Sequence, residues 1–444
     1  MIEFDLSRDV IKLKRAWKNR ALFLARDERL YNYYVSGDKG VGKTHVVQQY
    51  LQANNHAYYF SLADTNEKML LQNFSEKFFP DEVAAENWSE AFEKLAEVFY
   101  DKPAMIIFDD CRAMKGNDEF SEAYHRFVRE RKRTMLVSVN GLGDTPITIL
   151  PRTVADFCKA LPHYSMQDIA RLYAVTGGVL TAMKETESEL SFEENLERLL
   201  RYDSSFTQYV PMLLRESFRA PESYYPILYS IAMGKHKLSE IAADVGFPNN
   251  KCGKYLEELI KAELVDSEHG WESKHSTYYL HSSYLHFWFS YIYNNRSLQV
   301  SDPKRLMEIV SKDLDERIVI PALRESCIRY MRNLYKGRLI GYFKHFDRAK
   351  NKPVSIKFRD GYVVKFDFVF EEKGQALFCI FPESLDTRYT KEKLQRILRA
   401  SEKYGALFYH QIMVFGLHRF SDWCVHRASE VPGSMEVSGE RLKW

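Results

Sequence analysis

Eight consecutive residues, Gly37-Asp38-Lys39-Gly40-Val41-Gly42-Lys43-Thr44, have the types and spacing needed to cradle a polyphosphate. The glycines let backbone N–H groups turn inward around phosphate oxygens, which then face the positive end of the following helix. Lys43 would reach the β- and γ-phosphates, and the Thr44 hydroxyl would hold Mg²⁺. Such a loop must be launched by a strand and received by a helix. Tyr33-Tyr34-Val35 reads as the strand and His45 to Gln52 as the helix. These residues imply binding of a nucleoside triphosphate.

A phosphate loop of this kind needs a second acidic element to hold Mg²⁺ through water. Ala104-Met105-Ile106-Ile107-Phe108-Asp109-Asp110 supplies it: an apolar run that reads as a strand buried on both faces of a parallel sheet. Asp109 emerges at the carboxyl end of that strand, where ligands bind in open α/β sheets. Asp110 takes the place of the acid that activates the attacking water. It is one methylene shorter than the glutamate common there, so slow hydrolysis is expected. After a helix over Glu119 to Arg131, Thr134-Met135-Leu136-Val137-Ser138-Val139-Asn140 reads as a further strand. Ser138 or Asn140 could sense the γ-phosphate or simply cap the strand. Arg152 fits an arginine finger, a nucleotide sensor or a structural arginine.

The elements that position these groups belong to a chain of 444 residues, too long for one core, so two to four domains are expected. Hydrophobic residues at 45% imply globular domains with large cores, and a net charge of +2 restricts any nucleic-acid contact to local basic patches. Cys111, Cys158, Cys252, Cys327, Cys379 and Cys424 form no CxxC pair and read as reduced cysteines rather than a disulfide frame or zinc site. Met1-Ile2-Glu3-Phe4-Asp5 does not read as a signal peptide, and no apolar run approaches a membrane span. A cytoplasmic protein without a membrane partner is therefore expected.

The order of P-loop, apolar strand with paired acids, sensor strand and then Ser165-Met166-Gln167-Asp168-Ile169-Ala170-Arg171-Leu172-Tyr173-Ala174-Val175-Thr176-Gly177-Gly178 resembles the archaeal-type ATPases. That family belongs to the STAND group of signalling P-loop ATPases, close to AAA+ proteins. The resemblance implies ATP and Mg²⁺ as ligands and a lid helix whose Gly177-Gly178 stretch contacts the nucleotide. It also carries the choice of ATP over GTP, since no GTP-type base-reading motif is evident. Leu180 stands where the family commonly has proline. The family's acidic and arginine signature has no clear counterpart before this P-loop, so other residues would hold the base.

Tyr224 to Gly234, Lys237 to Val245 and Asn249 to Ala262 read as three helices, with a turn at Gly246-Phe247-Pro248. Leu264 to Ser267 and Ser276 to Leu280 read as strands around a loop. Helix–turn–helix plus a β-wing is a winged-helix pattern. Asn249, Asn250, Lys251 and Lys254 begin the second helix of that pair, where DNA contacts are usual, while Glu257, Glu258 and Glu263 dilute the charge. Both DNA binding and internal packing fit. The aromatic run Tyr284 to Phe289 has helical spacing and reads as core.

Arg296 to Arg305, with Ser, Asp and Pro, reads as a linker. A helix over Ile318 to Asn333 follows, then strands over Pro353 to Phe358, Tyr362 to Phe370 and Ala376 to Phe381, a helix over Tyr389 to Tyr404, and a strand over Gln411 to Phe415. This order resembles the PD-(D/E)XK nuclease core, a domain that recurs at the carboxyl end of archaeal-type ATPases. Such nucleases bind a divalent metal through a helix acid, a strand acid and an acid–x–Lys. Glu325 matches the first and Asp367 the second. The third falls near Ile380 and Pro382, which bind no metal; Glu383, Lys391 and Lys393 could substitute only from displaced positions. An inactive nuclease fold is expected.

The expected architecture is thus α/β: a P-loop ATPase core with a parallel sheet over residues 1–160 and a helical lid over 161–215. A winged helix over 216–295, a linker over 296–317 and an α+β restriction-endonuclease-like domain over 318–444 complete it. The expected function is an ATP-binding, slowly hydrolysing switch, with ATP and Mg²⁺ held between core and lid. An ATP-controlled DNA-binding protein and a metal-dependent DNA nuclease are the alternatives, and the sequence assigns no oligomeric state.

Overall fold

The computed structural model describes residues 2–25, 32–62, 66–114, 116–130, 134–269, 276–336, 352–372, 375–404, 409–418 and 435–438. The chain divides into two compact units, residues 5–151 and residues 1–4 with 152–444.

The unit of residues 5–151 begins with α1 (Ser7–Ala25) and is built on a parallel sheet. Its strands are β1 (Tyr33–Ser36), β2 (Ala57–Ser61), β3 (Ala104–Asp109), β4 (Thr134–Val139) and β5 (Thr145–Thr148), in the order β2-β3-β4-β1-β5. Every residue of β3 and β4 is buried, which is why both read as unbroken apolar runs rather than alternating ones. The crossovers are α2 (Lys43–Gln52) after β1, then α3 (Glu67–Phe78) and α4 (Trp88–Val98) after β2, and α5 (Asp118–Glu130) after β3. Phe74, Trp88, Phe92, Phe108, Phe120 and Tyr124 form an aromatic layer between these helices and the sheet. Burying each such ring contributes about 2–3 kcal/mol, so the carboxyl end of β3 is anchored from behind.

In the other unit, α6 (Val154–Ala160), α7 (Met166–Thr176), α8 (Phe192–Leu199) and α9 (Ser205–Ser217) lead into α10 (Tyr225–Ala232), α11 (Leu238–Val245) and α12 (Asn249–Lys261). An antiparallel pair, β6 (Val265–His269) and β7 (Ser276–Leu280), follows, then α13 (Ser283–Phe287). The loop joining the pair lies outside the described residues. One continuous apolar core takes in Phe157, Leu172, Phe206, Leu228, Leu256, Trp288, Val310 and Ile318. The segments expected as lid and winged helix therefore share a core, and their outer boundaries differ from expectation: the first unit closes at Pro151, not at residue 160.

The linker expected over 296–317 is corrected to helix: α14 (Leu298–Ser301) and α15 (Pro303–Leu314) occupy it. The Asp-Pro pair that suggested a linker is a helix start. Asp302 caps the helix by accepting from Arg305 N at 3.0 Å, and Pro303 sits in the first turn, where its missing N–H is harmless. Leu306, Val310 and Leu314 at helical spacing are buried in the shared core.

The carboxyl-terminal sheet has the order β12-β11-β10-β9-β8. Its strands are β8 (Lys352–Lys357), β9 (Val363–Glu372), β10 (Gln375–Ile380), β11 (Tyr409–Gly416) and β12 (Met435–Ser438), preceded by α16 (Ile320–Lys336), with α17 (Lys391–Lys403) crossing from β10 to β11. The first three strands are antiparallel and the last two pairings parallel. Val364, Phe366 and Phe378 face one apolar cluster with Ile397 of α17, while Phe368, Phe370 and Cys379 face another with Met331 of α16. The alternation slips at Asp367. There Val354 pairs with Phe366 and Lys352 with Val369, so β9 spends one residue more than β8, a β-bulge.

Candidate nucleotide site

The loop Gly37 to Gly42 leaves β1 with Gly37, Gly40 and Gly42 at φ of 139°, 78° and 95°. A Cβ on Gly37 would lie 2.1 Å from Ile149 O, so glycine is required there by the close approach of β5's exit. Gly42, left-handed, is the N-cap of α2 and brings no side chain to cover the first-turn N–H groups. Buried Val46, Val47 and Tyr50 fix the helix against the sheet, and no acidic residue stands in its first turn. Local structure thus presents a positive helix end inside a curled loop.

Lys43 is 7% exposed, and its Nζ donates to Gly37 O and Asp38 O, both at 2.8 Å. The ammonium bridges the loop from within. Thr44 Oγ1 donates to Asp109 Oδ2 at 2.7 Å, which brings the two residues expected to hold Mg²⁺ into direct contact. Asp109 is 1% exposed, and its Oδ1 accepts from Asp110 N at 2.8 Å. A hydroxyl and a carboxylate side by side form a hard oxygen donor set that fits Mg²⁺, which is commonly bound by one or two protein oxygens plus substrate phosphates. Asp110 is exposed with φ 58°, a left-handed backbone that turns its carboxylate away from the β3 register.

Two residues that sequence reasoning missed complete the group. Tyr59 OH donates to Asp109 Oδ2 at 3.2 Å, and Ser61 Oγ donates to Asp110 Oδ2 at 3.2 Å. Both lie on β2, where Ser61 pairs with Asp109. Burial first, then the nearby Asp109 charge, pushes the Tyr59 phenol up to about 12. The available signal was the end of β2, where polar Ser61 closes a strand that neighbours the acid-bearing one. Ser138 is buried, and its hydroxyl donates to Leu142 O, which supports the strand-capping role over phosphate sensing. Asn140 stands just beyond β4 at φ 61°, its N–H on Val35 O at 3.0 Å.

Arg152, Gly177 and Gly178 come together in the other unit. Gly177 ends α7 in left-handed conformation, its N–H on Tyr173 O. Gly178 O accepts from Arg152 N at 2.9 Å. Arg152 is 4% exposed, which does not fit a finger extended towards a neighbouring subunit. The glycine pair has a backbone explanation of its own, in addition to any nucleotide contact.

Among the described residues, Glu325 and Asp367 pair with different arginines. Glu325 is exposed and pairs with Arg329 one turn on, at 2.6 Å. Asp367, on the β-bulge, accepts from Arg324 and from Phe381 N. A guanidinium thus stands where a nuclease would place its cation. Arg324→Ala is expected to cost about 1–3 kcal/mol in denaturant unfolding, because the Asp367 side chain is 7% exposed and would lose its hydrogen-bonded cation, keeping only Lys365 Nζ at 3.9 Å. Arg324→Lys should recover only part, lacking the planar fork.

No family model matches the sequence. An uncharacterized protein of Methanocaldococcus jannaschii, MJECL04, is 24% identical over 291 residues, 59% of this chain; the match spans 64% of the relative's length. Among solved structures, the Drosophila ORC bound to AT-rich DNA and Cdc6 aligns over 64% of this chain and 93% of the other, at 14% identity and TM-score 0.26. The Thermotoga maritima RuvB Holliday junction branch migration motor aligns over 60% and 90%, at 14% identity and TM-score 0.26. These scores are too low to define a shared fold. The class follows from the chain's own geometry: a parallel sheet carrying a P-loop, the α/β architecture of P-loop nucleotide-binding proteins. Among the described residues, no helix is long and apolar enough to cross a membrane.

Proposed function

We propose that this chain binds ATP with Mg²⁺ through Gly37 to Thr44 and Asp109, hydrolyses it slowly, and acts as a nucleotide-controlled switch. The supporting observation is the 2.7 Å contact of Thr44 Oγ1 with Asp109 Oδ2 beside a helix start left open by glycine. Bound Mg²⁺ would neutralise charge on the phosphates. The chain's own residues do the rest. Backbone N–H groups of the loop orient the phosphates, and Lys43 trades the carbonyls of Gly37 and Asp38 for phosphate oxygens. Asp110 orients the attacking water, and its short side chain keeps turnover slow. ATP, rather than GTP, follows from the resemblance to archaeal-type ATPases.

The helices α10 to α12 with β6 and β7 are read as a winged helix used for internal packing. This is supported by Glu258 accepting from Tyr224 and by Lys251 Nζ lying 4.3 Å from the Phe247 ring centroid. The carboxyl-terminal sheet is read as an inactive nuclease-like domain, supported by the Arg324–Asp367 pair.

The test is binding of a fluorescent ATP analogue, and phosphate release, by wild type and Lys43→Ala. Losing the Lys43 charge is expected to cost thirtyfold or more in nucleotide affinity, about 2–5 kcal/mol. A wild-type protein that binds no nucleotide overturns the reading. Adding duplex DNA separates the roles of α12: stimulation that falls steeply with salt would assign it DNA contact instead of packing.

A further inference from the structure

We propose that β2 is a positioning strand for the nucleotide site, with Tyr59 aiming Asp109 and Ser61 aiming Asp110. The inference rests on the nucleotide reading and adds a division of labour within it. Ser61 and Asp109 are paired across β2 and β3, so Tyr59 and Ser61, two apart, lie on the same face of β2. Each sends a hydroxyl to a different acid, and each reaches the Oδ2 atom of its partner at 3.2 Å.

The two contacts do different things. Asp109 Oδ2 accepts from both Thr44 and Tyr59. Thr44 can offer an oxygen lone pair to a cation while its O–H still donates to Asp109, and Tyr59 is a second donor on the same Oδ2 that restrains the carboxylate. Its partner Oδ1 remains on Asp110 N. Tyr59 therefore bears on metal-supported binding. Outer hydrogen-bond partners of this type typically change metal affinity by about 10–100-fold. Asp110 has no such support from Thr44, and its left-handed backbone sets its direction independently of the strand. Ser61 restrains Asp110 Oδ2 and so bears on water orientation. Both are positioning residues.

The experiment titrates a fluorescent ATP analogue against wild type, Tyr59→Phe and Ser61→Ala, in EDTA and across a Mg²⁺ series, with phosphate release measured in parallel. Tyr59→Phe should raise the Mg²⁺ midpoint for tight binding about tenfold and leave affinity in EDTA unchanged. Ser61→Ala should leave that midpoint unchanged and lower kcat about three- to tenfold. Equal losses with and without Mg²⁺ would mark Tyr59 as merely structural and overturn its role. An unchanged midpoint in Tyr59→Phe does the same, and an unaltered kcat in Ser61→Ala removes Ser61. Failure of the wild type to bind the analogue at all would instead sink the nucleotide reading itself.

Discussion

Asp109→Asn is expected to lower ATP hydrolysis by about two to three orders of magnitude while the protein stays folded. The substitution keeps the shape of a side chain that is 1% exposed, so the strand end and its aromatic backing are undisturbed. What changes is charge and acceptor capacity. The carboxylate accepts from Thr44, Tyr59 and Asp110 N through both oxygens. An amide has one acceptor oxygen, so at least one of these donors meets an NH₂ group. The charge that would attract Mg²⁺ is lost with it. Binding in EDTA should be unaffected or slightly tighter, since a negative group near the phosphates has gone. Asp110→Asn is the informative companion. Asp110 is exposed and, on the proposed reading, bears on water rather than cation, so Asp110→Asn should reduce turnover without moving the Mg²⁺ midpoint. The measurement is single-turnover phosphate release across a Mg²⁺ series. Full activity in Asp109→Asn would remove Asp109 from the site.

The P-loop was legible because its chemistry is local: glycines at positive φ, a lysine and a hydroxyl within eight residues, and a strand whose burial on both faces leaves an apolar run. Tyr59 and Ser61 were not legible for the opposite reason. Their partners lie on another strand, and only the pairing of Ser61 with Asp109 decides which hydroxyl meets which acid. Ser138 and Asn140 looked alike in sequence, yet one is spent on Leu142 O in the turn after β4 and the other sits past the strand end. At Pro303, the same residue types that mark a linker also mark a helix start. The decision belonged to Leu306, Val310 and Leu314, whose spacing continues beyond the Asp-Pro pair. Asp367 was found as a strand acid, but its arginine partner comes from α16 and its place on β9 is a β-bulge, neither of which a local pattern announces. Cys424 lies outside the described residues.

Gly178→Ala is expected to destabilise the carboxyl-terminal unit by at least about 3 kcal/mol, against about 1–2 kcal/mol for the left-handed backbone alone. The difference is a collision. A Cβ on Gly178 would lie 2.1 Å from Arg152 O and 2.8 Å from Arg152 N, both main-chain atoms that cannot swing aside. Gly246 provides the control. Its φ of 71° nearly equals the 70° of Gly178, yet a Cβ there meets nothing within 4 Å. Gly246→Ala therefore carries the backbone cost without the clash, and Gly177→Ala, with Tyr284 Cβ at 3.1 Å, falls between. Thermal unfolding should rank the variants in that order, with Gly178→Ala lowered by about 6–12 °C if each kcal/mol shifts a unit of this size by about 2–4 °C. Equal shifts for Gly178→Ala and Gly246→Ala would remove the packing argument. The same variants separate the two reasons for a glycine pair at this place. Measured at a temperature where Gly178→Ala is still folded, unchanged nucleotide affinity would mean that Gly177-Gly178 serves the backbone. A loss of affinity in Gly178→Ala but not in Gly246→Ala would give the pair a part in nucleotide binding as well.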